Sequence, residues 1–349
     1  MHPGVVVTQG VRLSGLFRAA GYPVVAVSTS TSRFVRLAEI AGTLLTRGRG
    51  LDVLIVHTYG GRSFVVEDTA SAIGRAWGVP VVFLLHGGAL PEFVAKHPRW
   101  ARRVFGRAAM IVAPSPYLAR TATDLGLRSR VIPNVIEAGR YPYRERRVLR
   151  PRLFWMRTFD PDYNPFMALE VLRQVRERHP DATLVMGGED KGMRAEVAAR
   201  AKELGLAEAL ELPGFLDLSG KTRCGEACDI FLNTSHYDNM PVAVVEAAAM
   251  GLPVVSTAVG GVPDLLADGE TGLLVRDGDA AAMSLAVLRL LAEPDLAARL
   301  SRNGRNLALR SDWDAVRGQW EDLFATLSNG SGGRAGRGRP DGRSGGRIG

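Results

Sequence analysis

The sequence predicts an α/β chain of two doubly wound domains, each a parallel sheet covered by helices, facing one another across a cleft. Three observations predict it. Short β-branched or apolar runs alternate with helical patterns, the signature of a buried parallel sheet. The alternation occurs twice, on either side of a polar, turn-rich stretch from Asn134 to Arg152 where hydrophobic periodicity lapses. A chain of 349 residues, 46% hydrophobic and 23% charged, can bury two cores.

The first series of strand-like runs is GVVVTQG from Gly4, YPVVAVST from Tyr22, LDVLIVHT from Leu51, PVVFLLHG from Pro80, AAMIVAPS from Ala108 and RVIPN from Arg130. The second is RLFWMRT from Arg152, ATLVMGG from Ala182, LELPGF from Leu210, DIFLNTS from Asp229, PVVSTAV from Pro253 and GLLVRDG from Gly272. These runs divide the chain into a domain over 1–140, a linker over 141–151 and a second domain over 152–310. Over 311–327, Trp313, Val316, Trp320, Leu323 and Phe324 form one apolar stripe at helical spacing. The Gly, Ser and Arg tail from Ser328 has too little apolar surface to offset its ordering entropy and is expected to be disordered.

Composition excludes several classes. Two cysteines, Cys224 and Cys228, are too few for a disulfide scaffold or a four-ligand metal site, and read as reduced thiols of a cytosolic protein. The start, MHPGVVVTQG, carries no basic region followed by a long apolar stretch, so no export signal is expected. No run reaches the ~20 apolar residues of a membrane span. Charge is strongly divided: +13 over 1–150, −9 over 151–327 and +4 in the tail. Within the basic half, KHPRWARRVFGR from Lys96 to Arg107 reads as an amphipathic helix suited to an anionic membrane surface or, equally, to packing on its own sheet. Nucleic acid is a poorer fit, because the Arg-Gly tail alone suggests it.

Ligands of open α/β sheets bind beyond the carboxyl ends of the strands. Those positions hold Gly10, His57, His86-Gly87-Gly88, Arg157, Gly188 and Lys191, Phe215, Asp238 and Gly260-Gly261. One carboxylate stands out. Pro241 suits a helix start and Gly251 the residue past its end, and eight of the ten intervening positions, 241–250, are Ala, Val or Met. Glu246 lies inside that apolar helix and needs donors to offset several kcal/mol of desolvation. Asp238 precedes it by eight residues, so the carboxylates stand roughly 10 Å apart at 1.5 Å rise per residue. That is too far for a pair straddling one glycosidic bond and fits two ends of an elongated ligand. Asn239, Met240 and Pro241 lead into the helix N-terminus, whose free N–H groups attract anions.

The run DNMPVAVVEAAAMGLPVVSTAVGGVPDLLADGETGLLVRDGD, residues 238–279, resembles the donor-binding signature of glycosyltransferase family 4, retaining enzymes of the GT-B fold with two Rossmann-like domains. Weaker resemblance extends over most of residues 50–327. It implies that Asp238, where the family more often has Glu, lies against the donor sugar's hydroxyls. It implies that Glu246 accepts from the ribose hydroxyls and that Arg157 faces the diphosphate. A vicinal diol does present two donors to one carboxylate. At the position of a second family cation stands Asn164, with Lys191 a substitute. His86 matches a histidine near the donor sugar, and Gly10 a reduced form of the family's Gly-rich first loop.

The resemblance implies transfer of a hexose from a nucleotide diphosphate to a hydroxyl of a polysaccharide, lipid-linked or small glycoside acceptor, with retained configuration, no cofactor and no essential metal. The site expected is therefore Asp238, His86 and Arg157 for chemistry. Glu246, Asn239, Met240, Pro241, Gly188, Lys191, Asn164, Phe215 and Gly10 are expected to bind the donor. A nicotinamide oxidoreductase would need Gly-x-Gly-x-x-Gly after its first strand, which is absent. A nucleotide-sugar epimerase, a phosphorylase or a non-catalytic sugar-nucleotide binder of the same fold stays open. The protein is expected in the cytosol, on the inner face of the membrane if the basic helix binds there.

Overall fold

A computed structural model describes residues 8–27, 30 and 32–330. In the first domain the elements run α1 Gln9–Ala19, α2 Arg33–Arg47, β1 Leu54–Thr58, α3 Phe64–Ala76, β2 Val81–Leu85, α4 Leu90–Lys96, α5 Pro98–Phe105, β3 Met110–Ala113, α6 Pro116–Thr123 and β4 Ser129–Val131. The second begins β5 Arg152–Met156, α7 Pro165–Arg176, β6 Thr183–Gly187, α8 Arg194–Glu203, β7 Leu210–Gly214 and α9 Leu218–Ala227. It continues β8 Ile230–Asn233, α10 Val242–Ala249, β9 Val254–Thr257, α11 Val262–Leu265, β10 Leu273–Val275, α12 Ala280–Ala292 and α13 Pro294–Leu309, and α14 spans Trp313–Gly330.

The strands form two parallel sheets, ordered β1-β2-β3-β4 and β10-β9-β8-β5-β6-β7. Strand alternation divides their side chains between two faces. In β2, Val81, Phe83 and Leu85 face α3 to α6, and Val82 and Leu84 face α1 and α14. In β5, Leu153 and Trp155 pack under α7 and α12, and Phe154 and Met156 under α10. The stripe on α14 is core of the first domain: Trp320 and Leu323 are buried beside Leu13 and Phe17 of α1. Phe17 meets the rings of Trp313, Trp320 and Phe324 at 5.3, 5.8 and 5.5 Å.

Four expectations change. YPVVAVST is not a strand over its described part, Tyr22 to Val27. Pro23 has no N–H for a ladder, the Val24 carbonyl accepts from the Arg18 guanidinium, and Val25 is half exposed. GVVVTQG lies outside the described residues up to Val7, and its last residues, Gln9 and Gly10, open α1 under a Thr8 cap. The basic helix is two pieces, α4 and α5, separated at His97. Trp100, Arg103 and Arg107 all donate to Asp68 of α3, so much of its charge is used within its own domain. α14 runs three residues into the expected tail, and the rest of the tail lies outside the described residues.

Candidate active site

Pro241, with ψ 107°, caps α10, and Gly251, with φ 78°, ends it. Between them Glu246 is 1% exposed and fully paired. Its Oε1 accepts from Tyr141 Oη at 2.7 Å and Arg12 Nη2 at 3.2 Å, and its Oε2 from Lys221 Nζ at 2.7 Å. Burial alone would raise this carboxyl, but Lys221 and Arg12 outweigh it and hold the group below its ordinary value. Burial, with the same carboxylate adding to it, pushes the Tyr141 phenol upward. Lys221 lies on α9, capped by Asp217; Tyr141 is on the linker; Arg12 crosses from the first domain.

Asp238, one step before the helix, is bonded to Arg157 from the end of β5, to the Asn239 amide at 2.9 Å and to Ser235 Oγ at 3.4 Å. Burial raises its carboxyl, with Arg157 and those donors pulling against the rise. The Arg157 guanidinium is fixed over the Tyr163 ring, 4.1 Å from its centroid, and its buried Nε has no partner among the described residues. Glycines let the backbones meet here. A Cβ on Gly188 would stand 1.8 Å from the Arg157 carbonyl oxygen, and one on Gly260 1.9 Å from that of Asp238. The loop after β2 closes the other side, with Gly88 against the Asp238 amide.

The first domain pins this loop. Ser115 bonds Asn239, and Asn134 donates to Met240 through its amide N–H, to Sδ, and its side chain, to the carbonyl. His86 is 6% exposed; its Nε2 stands 2.8 Å from His57 Nδ1 and its ring lies 4.8 Å from that of Tyr59. Burial lowers His86 to about 3, with His57 adding to the effect, and burial lowers His57 to about 4, so both are neutral and one donates to the other. Gly10 packs on this pair, since a Cβ there would lie 3.0 Å from the His57 ring. It is therefore a first-turn helical residue, not part of a loop.

The contacts thus join Asp238, Asn239 and Met240 to the first domain, Asp238 to Arg157 and Gly188 to the Arg157 backbone, with Pro241 and Glu246 following on α10 and the loop after His86 reaching Asp238 through Gly88. Phe215, partly exposed, follows β7 directly before α9. Two expected members are engaged elsewhere. Asn164 adopts the left-handed conformation, φ 45°, and its side chain caps α7 through the Met167 amide. Lys191 is exposed and paired with Asp160 at 3.4 Å. Sequence reasoning missed Arg12, Tyr141 and Lys221, which lie 234, 105 and 25 residues from the carboxylate they hold. Among the described residues no three His, Cys, Asp or Glu are grouped to hold a metal ion. Chemically, the cleft offers two carboxylates for hydroxyl donors, cations beside each, and the amides of a helix N-terminus. No described helix is long and apolar enough to cross a membrane.

Residues 6–140 match the family model described as Glycosyltransferase Family 4, and residues 147–307 match Glycosyl transferases group 1. Glycogen synthase of Mycobacterium tuberculosis is 26% identical over 75% of this chain and 66% of its own length. D-inositol 3-phosphate glycosyltransferase of Acidothermus cellulolyticus is 27% identical over 78% of this chain and 67% of its own. The chain thus spans about two thirds of the length of these relatives. Anabaena HepE, solved with UDP-glucose, superposes at TM-score 0.71 with 21% identity, covering 90% of this chain and 89% of HepE. Sucrose-phosphate synthase from Thermosynechococcus elongatus gives 0.72 and 18%, covering 92% of each. These likenesses show the fold, GT-B.

Proposed function

We propose that this chain, which belongs to the glycosyltransferase family 4 group, is a retaining and metal-independent hexosyltransferase using a nucleotide-diphosphate sugar. The observation that carries the reading is the pair of carboxylates at one helix, little-exposed Asp238 held by Arg157 and buried Glu246 held by Arg12 and Lys221. In this reading Glu246 takes the ribose diol and Asp238 the hydroxyls of the sugar. Arg157 and the amides around Asn239 to Val242 face the diphosphate. Phe215 lies against the base, and neutral His86 lines the sugar from the first domain. The anomeric carbon exchanges its bond to the diphosphate oxygen for one to the acceptor oxygen, and the acceptor proton leaves with the diphosphate. Charge developing on that leaving group is met by fixed dipoles and Arg157, with no metal and no cofactor required.

Relatives named as a glycogen synthase and as inositol phosphate glycosyltransferases favour transfer over an epimerase or a purely binding protein. The acceptor is a glycan or lipid-borne hydroxyl met by the basic first domain. Attachment to an anionic inner leaflet rests on Arg99 and Arg102, since Asp68 holds Arg103 and Arg107 and Glu92 holds Lys96. Liposome flotation with and without anionic lipid tests it, and equal recovery in both rejects it. For the donor, the test is thermal shift with UDP- and GDP-linked hexoses on wild type and Glu246→Ala. Stabilisation of wild type alone is expected, and no shift with any sugar nucleotide refutes the reading.

A further inference from the structure

Resting on that donor site, we infer that Arg12, bonded to Glu246, is a donor-phosphate residue, and that the ribose diol displaces it onto the diphosphate. The first step is a count of acceptor positions. A carboxylate offers about four lone-pair sites. Tyr141, Lys221 and Arg12 already use three on Glu246, and a diol brings two more donors. One must leave. Tyr141 is buried in the core beneath α10, and Lys221 stands on a helix of the same domain, both at 2.7 Å. Arg12 makes the longest of the three contacts, 3.2 Å, and comes from the opposite domain.

The second step is what Arg12 finds when it leaves. Its Nη1 stays bonded to the Val135 carbonyl at 3.2 Å, so the guanidinium pivots at the cleft rather than swinging into solvent. A nucleotide whose ribose sits on Glu246 and whose sugar sits on Asp238 carries its diphosphate between those two residues. Of the other cations, Arg157 faces the diphosphate while it holds Asp238, and Lys191 is exposed on Asp160, so the place of a second phosphate cation is open. Asn164, at the position of a second cation, is held as a helix cap. A planar fork freed beside a diphosphate is the geometry that binds phosphate oxygens in pairs.

The inference separates nucleoside from nucleoside diphosphate. Arg12 competes with the ribose but assists the phosphates, so its removal acts in opposite directions on the two ligands. The experiment is calorimetric titration of uridine and UDP, and in parallel guanosine and GDP, into wild type, Arg12→Gln and Arg12→Lys. Expected for Arg12→Gln is nucleoside binding equal to or tighter than wild type, with diphosphate binding weaker by about tenfold. Arg12→Lys, which keeps the charge, is expected to hold the diphosphate-to-nucleoside ratio within about threefold of wild type. An unchanged ratio in Arg12→Gln, or equal weakening of both ligands, overturns the inference. So does a Lys variant that loses as much as the Gln variant, and, if Arg12→Gln does not fold, a fall in the Lys variant's diphosphate-to-nucleoside ratio beyond about threefold of wild type. A wild type that binds neither diphosphate overturns the donor-site reading itself.

Discussion

Glu67 is a second buried carboxyl, and unlike Glu246 it has almost nothing to pair with. It lies on the inner face of the first turn of α3, 3% exposed; its Oε1 accepts from the Tyr59 amide at 3.4 Å and its Oε2 has no partner among the described residues. Burial lifts it to about 7, with the Tyr59 amide and Arg36 opposing only part of the rise. Between pH 4.5, the ordinary value, and pH 7 the folded protein holds a proton that the unfolded chain has released. Stability from this group is therefore fully present below pH 4.5 and lost as pH rises to 7. Two and a half units at about 1.36 kcal/mol each make the loss about 3 kcal/mol. Glu67→Gln is neutral throughout, and other titrations cancel in its difference from wild type. Urea unfolding of both proteins from pH 4.5 to 8.5 should show the variant gaining about 3 kcal/mol on wild type across the window, then levelling off. A difference that stays flat over that range would refute the reasoning. The site feels this group through Tyr59, whose ring stacks on His86.

Three further outcomes follow from other contacts. Glu246→Gln leaves Lys221 and Arg12 in the cleft without their counter-charge, so it should cost about 3 kcal/mol in urea unfolding and abolish thermal stabilisation by the donor. Asn164→Ala removes a helix cap and puts at φ 45° a residue that tolerates the left-handed region less well than Asn, at a cost of about 1–2 kcal/mol, and Asn164→Gly should cost less; donor affinity by calorimetry should stay within about twofold in both. Trp320→Ala empties a 2%-exposed site between α14 and the first sheet, and should cost about 3–5 kcal/mol in urea unfolding.

The second sheet was legible in the sequence because its central strands, β5, β6, β8 and β9, are short runs buried on both faces, and such runs have little competing structure to form. YPVVAVST has the same composition, yet its fate is decided by Pro23 and by what Arg18 offers the Val24 carbonyl, which periodicity does not register. The candidate site divides in the same way. Glu246 and Asp238 announce themselves locally, one as a charge in an apolar helix and the other before a helix N-terminus. Their partners do not: Arg12 lies in a segment that reads as strand and loop, and Tyr141 in a stretch that reads as spacer. Asn164, expected in the site for its place in the resemblance, also serves the backbone as the cap of α7 at a positive φ, which the sequence does not display.

The chain from 141 to 151 reads as a linker, but its arginines lock it to the second domain. Asp229 pairs with Arg144 and Arg150, both at 2.7 Å, and Arg146 is buried with its guanidinium on the carbonyls of Gly225, Cys228 and Met250. Burial lowers Arg146 to about 10, the neighbouring Arg144 charge adding to the effect, which still leaves it charged. Side chains change core between Val135, packed with α1 and α14, and Ile136, packed under α10. The returning chain crosses at the same place, where the Ile136 amide donates to the Ser311 carbonyl and the Trp313 amide to that of Ile136. Rotation of one domain on the other must bend both crossings together, at one joint. The Val135 carbonyl at that joint accepts from Arg12 and from Gln9, so the residue inferred to leave Glu246 for the diphosphate is also bonded to the joint. On that inference donor occupancy and the joint share one guanidinium, and a variant at Arg12 is expected to change the amplitude of any domain closure on donor binding, read by small-angle scattering, along with the affinity.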